Sequence, residues 1–330
     1  MTSSTNMKID AVITWVDGDD PQHRAKREKY TDKAKPVPTG AKTTRFSSLG
    51  EIVYCVLSIA KYAPFFNNIY IVTDGQVPPI FDAVNKYFPE QLGKIVIIDH
   101  KVLFQGYEEH LPTFNSLSIE SLLHRIPNLS DYYVYFNDDF FLVRSCDASD
   151  WFDGEVAILN GKMLSKIYGI GDNISRAIND VLRTPLTARR ISSKTGQRIT
   201  AQLAGYTDSF FNNSHSPLAV RKSTLVNFFS QNSDVLITNI AYKFRSLEQI
   251  IPITLSNHLD LKIGTAKIGK PDRLVYAQGG RGGEKKALQK IGKIESDSGV
   301  KFFCVQSLDD ASPEVQKIYL DWLATRMMSE

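Results

Sequence analysis

Apolar positions in the first half of the chain fall into short blocks of two different periods. Residues 9–16 and 68–73 are compact runs rich in β-branched and aromatic side chains, each closing on a polar turn, which predicts buried strands. Between them Leu49, Ile52, Val53, Val56, Ile59 and Ala60 recur at spacings of three and four, one face of a helix over residues 47–62 that must stop before Pro64. The alternation continues with a helix at 79–87, a strand at 94–98, a helix at 115–125 and a strand at 131–136. Strands separated by helices predict an α/β fold, a mostly parallel Rossmann-like sheet whose ligands lie beyond the carboxyl ends of the strands. Those ends read Asp17-Gly18-Asp19-Asp20, Asp74-Gly75-Gln76, Asp99-His100 and Asn137-Asp138-Asp139.

From residue 161 to 205 the periodicity turns helical and the composition basic, which reads as a helical insertion or lid. This divides the chain into an α/β half at 1–160 that binds the ligand, the insertion at 161–205, and a second half at 206–330 that completes the domain. Further helices are expected at 223–229, 247–259 and 313–328.

Composition adds mostly exclusions. With 330 residues, 42% hydrophobic and 23% charged, the chain can bury a large core and does not read as disordered. A net charge of +3 is too small to identify a nucleic-acid binder and none is expected, although basic residues gather at 183–198 and again at 281–293. Each cluster is either a solvated face or a surface for an anionic substrate or lipid headgroups. The three cysteines Cys55, Cys146 and Cys304 form no CxxC pair, which argues against a disulfide framework or zinc knuckle and predicts buried thiols. No run is long and apolar enough to span a bilayer or act as a signal peptide, so a cytoplasmic location is expected.

The sharpest chemical signal is Asn137-Asp138-Asp139, where an apolar strand suddenly presents an amide and two adjacent carboxylates. Burying two such ions requires a cation or strong donors, and hard oxygen ligands suit magnesium or manganese; the alternative is an exposed turn. Upstream, Glu120 and His124 stand four apart on the predicted helix, able to orient a catalytic group or to form a plain surface pair. His215, between two serines and before Pro217, is a candidate general base in a loop, and Arg245 can grip phosphate oxygens.

In this order these segments resemble the Stealth proteins, a family that includes bacterial capsular polysaccharide phosphotransferases and the animal enzyme that tags lysosomal glycoproteins with N-acetylglucosamine 1-phosphate. The similarity begins at Ile9-Asp10-Ala11-Val12-Ile13-Thr14-Trp15-Val16-Asp17-Gly18-Asp19-Asp20-Pro21. It runs on through Arg45-Phe46, Ile69 to Pro78, Leu111-Pro112-Thr113-Phe114-Asn115-Ser116, Ile119-Glu120 and Asn137-Asp138-Asp139. It resumes at His215-Ser216-Pro217, Phe244-Arg245-Ser246 and Lys301-Phe302-Phe303-Cys304. Two departures stand out: Asp17 where many members carry Asn, and Val305-Gln306-Ser307-Leu308-Asp309-Asp310 in place of a compact Asn-Asp, so Asp309 and Asp310 receive no role.

The resemblance implies a fold like that of nucleotide-sugar transferases of the GT-A type. The implied reaction is transfer of a hexose 1-phosphate, with N-acetylhexosamine on uridine diphosphate the leading donor, to a hydroxyl of a capsular or surface polysaccharide. It implies His215 as base, Arg245 as phosphoryl clamp, Glu120 as support, and Asp138 and Asp139 as holders of magnesium or manganese. Trp15, Asp17, Gly18 and Arg45, with Asn115, Ser116 and Asn137, would bind substrate. Peripheral association with a membrane-bound assembly machinery is part of the same expectation. An ordinary metal-dependent glycosyltransferase and a non-catalytic sugar-nucleotide or glycan-binding relative stay open, and the nucleotide product separates the first two.

Overall fold

The computed structural model describes residues 7–31, 49–165, 193–246, 248–270 and 273–329. Its centre is a five-stranded sheet. Strands β1 (Ile9–Thr14), β2 (Ile69–Thr73), β3 (Ile95–Asp99) and β4 (Tyr132–Asn137) run parallel in the order β4-β1-β2-β3, and the strand Leu218–Arg221 adds antiparallel to the outer edge of β4. The sheet is buried on both faces, which is why its strands read as unbroken apolar runs rather than alternating ones. Ala11, Ile13, Ile69, Ile71, Val134 and Phe136 enter one core. Val12, Tyr70, Val72, Tyr133 and Tyr135 point the other way into a second core. Asp10 is tolerated inside β1 because its buried carboxylate accepts from Asn67 Nδ2 at 3.0 Å, Asn68 N at 2.9 Å and Ser130 N at 2.7 Å.

The first core is covered by the helix Glu51–Tyr62, whose apolar stripe matches the sequence expectation. The second lies under the short helix Ser116–Glu120 and the helices Lys222–Gln231 and Pro252–Ile263. Beside the first core stands a smaller sheet in which Phe302–Gln306 is central, parallel to Leu274–Gln278 and antiparallel to β5 (Phe140–Leu142). The parallel pair is joined across the helix Gly283–Ser296.

Three expectations change. The segment predicted as one helix at 115–125 breaks after Glu120, and only a 3-10 turn at Leu123–Arg125 follows. His124 therefore does not pair with Glu120; its ring packs against Phe229 at 5.8 Å, and burial pushes its pKa down to about 4. The helix expected at 247–259 runs at Pro252–Ile263, started by the proline and stopped by Gly264 at φ 79°. The region 161–205 opens with a strand, Gly161–Ser165, paired to Ser209–Asn213, before the helix Ser193–Leu203. Gly161 is required there, because a Cβ would sit 2.4 Å from the Asn212 carbonyl oxygen. Residues 183–192 of the first basic cluster lie outside the described residues.

Candidate functional site

The turn Asn137-Asp138-Asp139 joins β4 to β5, so it stands at the carboxyl edge of the main sheet and against the smaller one. Alternation along β4 directs Tyr135 and Asn137 to the same face. The Tyr135 hydroxyl is the hub there. It lies 2.9 Å from Asn137 Oδ1, 2.9 Å from Thr14 Oγ1 and 3.4 Å from Glu120 Oε1, and its single proton serves one of these acceptors at a time. Glu120 is buried, and burial lifts its pKa to about 7 against the opposing pull of Arg245, Ser116 and Tyr135. Near neutral pH this carboxyl exchanges its proton readily.

Arg245 is exposed on the segment 242–249 and donates through Nη2 to Ser116 Oγ, which brings its charge to the Glu120 side of the turn. Ser116 and Arg245 therefore meet as the motif order suggests. Asn115 does not join them at the cleft surface. It is 0% exposed, with Nδ2 donating to Gln249 Oε1 at 2.9 Å and Tyr242 O at 3.1 Å while Oδ1 accepts from Leu117 N at 3.1 Å. Asn115 caps the helix and ties it to the arginine segment.

On the other side of the turn carboxyl groups collect: Asp138, Asp139 and the helix residue Glu51. Burial raises Asp138 well above the carboxylate range and Asp139 to about 7, and the charge of Glu51 pushes both further. The Cys304 thiol lies 3.8 Å from Asp139 Oδ2, and among the described residues buried Asp139 Oδ1 has no hydrogen-bond partner. Asp309 is raised to about 6 by burial, by Asp310 and by the same Glu51 charge. Oxygen donors with one buried lone-pair set unused fit a hard divalent cation in kind. Among the described residues, however, no three His, Cys, Asp or Glu side chains already enclose an ion. Cys55, Cys146 and Cys304 are buried free thiols, as composition suggested.

His215 reaches the same end through the outer strand. Leu218 is opposite Tyr135 in antiparallel register, so the residues before Leu218 run toward Asn137-Asp138-Asp139. The imidazole stacks on Tyr276, centroids 5.1 Å apart at 27°, and burial lowers its pKa, leaving it neutral at neutral pH. Tyr276 donates to Gln306 Oε1 at 2.6 Å.

At the end of β1, Trp15 is buried, and among the described residues its Nε1 has no hydrogen-bond partner. Gln76 organises the following loop. Its Oε1 accepts from Asp17 N at 2.9 Å, and its Nε2 donates to Asp17 O at 2.9 Å and Asp20 Oδ2 at 3.0 Å. Gly18 is enclosed within that loop, and Arg45 lies outside the described residues. Sequence reasoning missed Tyr135, Glu51, Tyr276 and Gln306. Only their presence on strands or a helix ending near the motif turns could have marked them.

Comparison with known proteins returns one consistent group. The family model Stealth protein CR1, conserved region 1, matches residues 7–35, and Stealth protein CR2, conserved region 2, matches residues 45–158. The receptor polysaccharide phosphotransferase WefC of Streptococcus oralis is 31% identical over 284 residues, covering 80% of this chain and 81% of that protein. The capsular polysaccharide phosphotransferase WcwK of Streptococcus pneumoniae is 27% identical over 336 residues, covering 96% and 95%. The capsular polysaccharide phosphotransferase cps12A of Actinobacillus pleuropneumoniae is 40% identical over 168 residues, 49% of this chain and 43% of that relative, so the chain spans less than half the length of that relative. Among solved structures, the galactosyltransferase LgtC in complex with donor and acceptor sugar analogs aligns over 97% of each chain with a TM-score of 0.42 and 11% identity.

Proposed function

This chain belongs to the Stealth family, and from that premise we propose that it transfers a hexose 1-phosphate from a nucleotide-sugar to a hydroxyl of a surface polysaccharide, releasing a nucleoside monophosphate. The observation that supports this most is the convergence of Glu120, Asn137-Asp138-Asp139, His215 and Arg245 from separate segments onto one edge of the sheet. Phosphoryl transfer asks mainly for positioning and charge stabilisation, and a neutral base beside a carboxylate cluster and an arginine meets that demand.

In this reading a ring nitrogen of His215, neutral because it is buried, accepts the proton of the acceptor hydroxyl. The acceptor oxygen then attacks the β-phosphorus, and the bond from that phosphorus to the bridging oxygen breaks, with the electron pair leaving on the nucleoside monophosphate. Arg245 neutralises charge on the phosphoryl oxygens, oriented by Ser116. Glu120 and Tyr135 hold Asn137 and the floor of the cleft. Trp15, Asp17 and Gly18, with Arg45, shape the nucleotide end.

Asp138 and Asp139 would hold magnesium or manganese, with the donor diphosphate completing the shell. When bound, the cation supplies charge neutralisation for the diphosphate and for the two carboxylates themselves. The donor is proposed to be uridine diphosphate N-acetylhexosamine, and the site of action the inner face of the cytoplasmic membrane. Among the described residues no helix is long and apolar enough to cross a membrane.

The test is the product. Incubation with a panel of nucleotide-sugars and oligosaccharide acceptors should give a phosphodiester signal in phosphorus NMR together with a nucleoside monophosphate. Release of a nucleoside diphosphate without a new phosphodiester would assign an ordinary glycosyl transfer instead.

A further inference from the structure

We propose that the lysine face of the helix Gly283–Ser296 is the track that holds a phosphodiester-linked acceptor chain beside the reaction site; this rests on the phosphotransferase reading above. Lys285, Lys286, Lys290 and Lys293 crowd this helix, and at about 100° per residue all four fall within an arc of about 140°. Ala287 and Ile294, which anchor the helix to the core, lie outside that arc. Among the described residues none of the four lysines has an ion-pair partner within 4.0 Å. Lys290 is held below its ordinary pKa by partial burial and by the charges of Lys286 and Lys293. Like charges three and four residues apart, as at Lys286 and Lys290 or Lys290 and Lys293, repel along a helix and destabilise it. The face is therefore maintained against local preference, the condition in which an external polyanion relieves the repulsion.

The strip is continuous with the site. The helix follows a turn, Gly279 to Gly283, whose Gly279 N donates to Gln306 O at 2.9 Å; a Cβ on Gly279 would lie 2.2 Å from the Ser307 carbonyl oxygen. Gln306 in turn holds Tyr276, on which His215 stacks. Lys286 folds back over this turn, since a Cβ on Gly282 would meet its Cδ at 2.2 Å. The lysines thus begin at the rim beside His215 and extend along a helix roughly 20 Å long. Asp310, exposed beside Gly280, and its neighbour Asp309 are the opposing charges at that rim, with Glu284 in the first turn of the helix, and the four lysines with Arg281 outnumber these three acids.

The occupant is a soluble polyanion rather than a lipid surface because of where the exposed apolar residue stands. A membrane-lying helix interleaves apolar side chains with its basic ones. Here Leu288, 57% exposed, lies about 130° from the centre of the lysine arc on the side of Glu284 and Glu295, with only Lys285 close to it, about 60° away. A polymer joined by phosphodiesters carries one negative charge per linkage and would engage the strip in proportion to its length.

The experiment replaces Lys285→Gln, Lys286→Gln, Lys290→Gln and Lys293→Gln together in the full chain and measures kcat/KM with phosphodiester-linked hexose oligomers of about one and about six repeats. The long-to-short ratio should fall about tenfold at low salt, and the difference should shrink at 1 M salt, where screening acts over ~3 Å. The corresponding set of lysine-to-arginine changes should keep the ratio. An unchanged ratio in the glutamine set, or an equal loss in the arginine set, overturns the track. Loss of binding to phosphatidylglycerol vesicles with an intact ratio assigns the face to membrane and overturns it as well. Binding of inorganic polyphosphate, measured by competition, separates this proposal from the activity. If the wild-type protein makes no phosphodiester, the functional reading fails, while weaker polyphosphate binding by the glutamine set still supports the strip and unchanged binding overturns it.

Discussion

Two buried polar regions flank the helix Ser116–Glu120, and they are built on opposite terms. On one side Asn239 donates to Ser121 Oγ at 2.8 Å and accepts from Ile250 N at 3.0 Å, while Gln249 donates to Asn239 O at 2.8 Å and accepts from Ser246 N at 2.9 Å. These groups are neutral amides and hydroxyls, and each amide is engaged at both ends. On the other side Asp138 and Asp139 are carboxyls pushed upward by burial, and among the described residues Asp139 Oδ1 and Ser216 Oγ, next in sequence to His215, have no hydrogen-bond partner. A closed network fixes the backbone in one arrangement, as Asn115 and Gln249 fix the arginine segment. An open one is stable only with something that completes it, and that distinguishes a site from a scaffold.

The comparison predicts a graded series. The largest effect is expected at His215→Ala, where turnover should fall by roughly two to four orders of magnitude while the donor KM and the melting temperature stay near wild type. Near-normal turnover removes the base assignment. Next, Asn239→Ala should lower stability by roughly 4 kcal/mol in urea titration, because the Ile250 amide and Ser121 hydroxyl lose a buried partner. A loss below about 1 kcal/mol would mean the closed network is not what holds this region.

Glu120→Gln probes the boundary between the two regions. An unfolded glutamate titrates near its model value of 4.5 and the folded one at about 7, so the folded chain holds the extra proton between those values and wild-type stability falls as pH rises through that window. The glutamine variant should therefore match wild type near pH 4 and exceed it by up to ~3 kcal/mol at pH 8, while turning over more slowly. Equal stability at both pH values would show that Arg245 and Ser116 already compensate the charge.

The smallest expected shift concerns the cation. Magnesium at about ten times its Kd should stabilise the wild-type chain by ~1.4 kcal/mol, seen as a rise in melting temperature. Asp138→Asn and Asp139→Asn should abolish that rise, and chelation should abolish activity. Full activity in excess chelator would leave arginine alone to neutralise the diphosphate.

Much of the frame was legible in the residues because it depends on local pattern. The parallel strands, the helix Glu51–Tyr62 and the polar strand ends follow from periodicity and from the abrupt change at Asn137, which any chain with a two-sided core must display. The motif residues Glu120, Asp138, Asp139, His215 and Arg245 were legible as chemistry, but not their surroundings. Propensity ran the helix through to residue 125, whereas packing ends it after Glu120 and sends His124 to Phe229.

What only the tertiary structure decided are relations across long stretches of chain. Tyr135 lies 121 positions from Thr14 yet shares a hydrogen bond with it, because β1 and β4 are neighbours in the sheet but distant in sequence. Cys304 reaches Asp139 across 165 positions because Phe302–Gln306 pairs with β5. Sequence fixes which groups are available and the period on which each face is buried. Burial, register and the charges that face Asp139 arise only when separate segments are packed together, and these set the proton affinities on which the proposed chemistry depends.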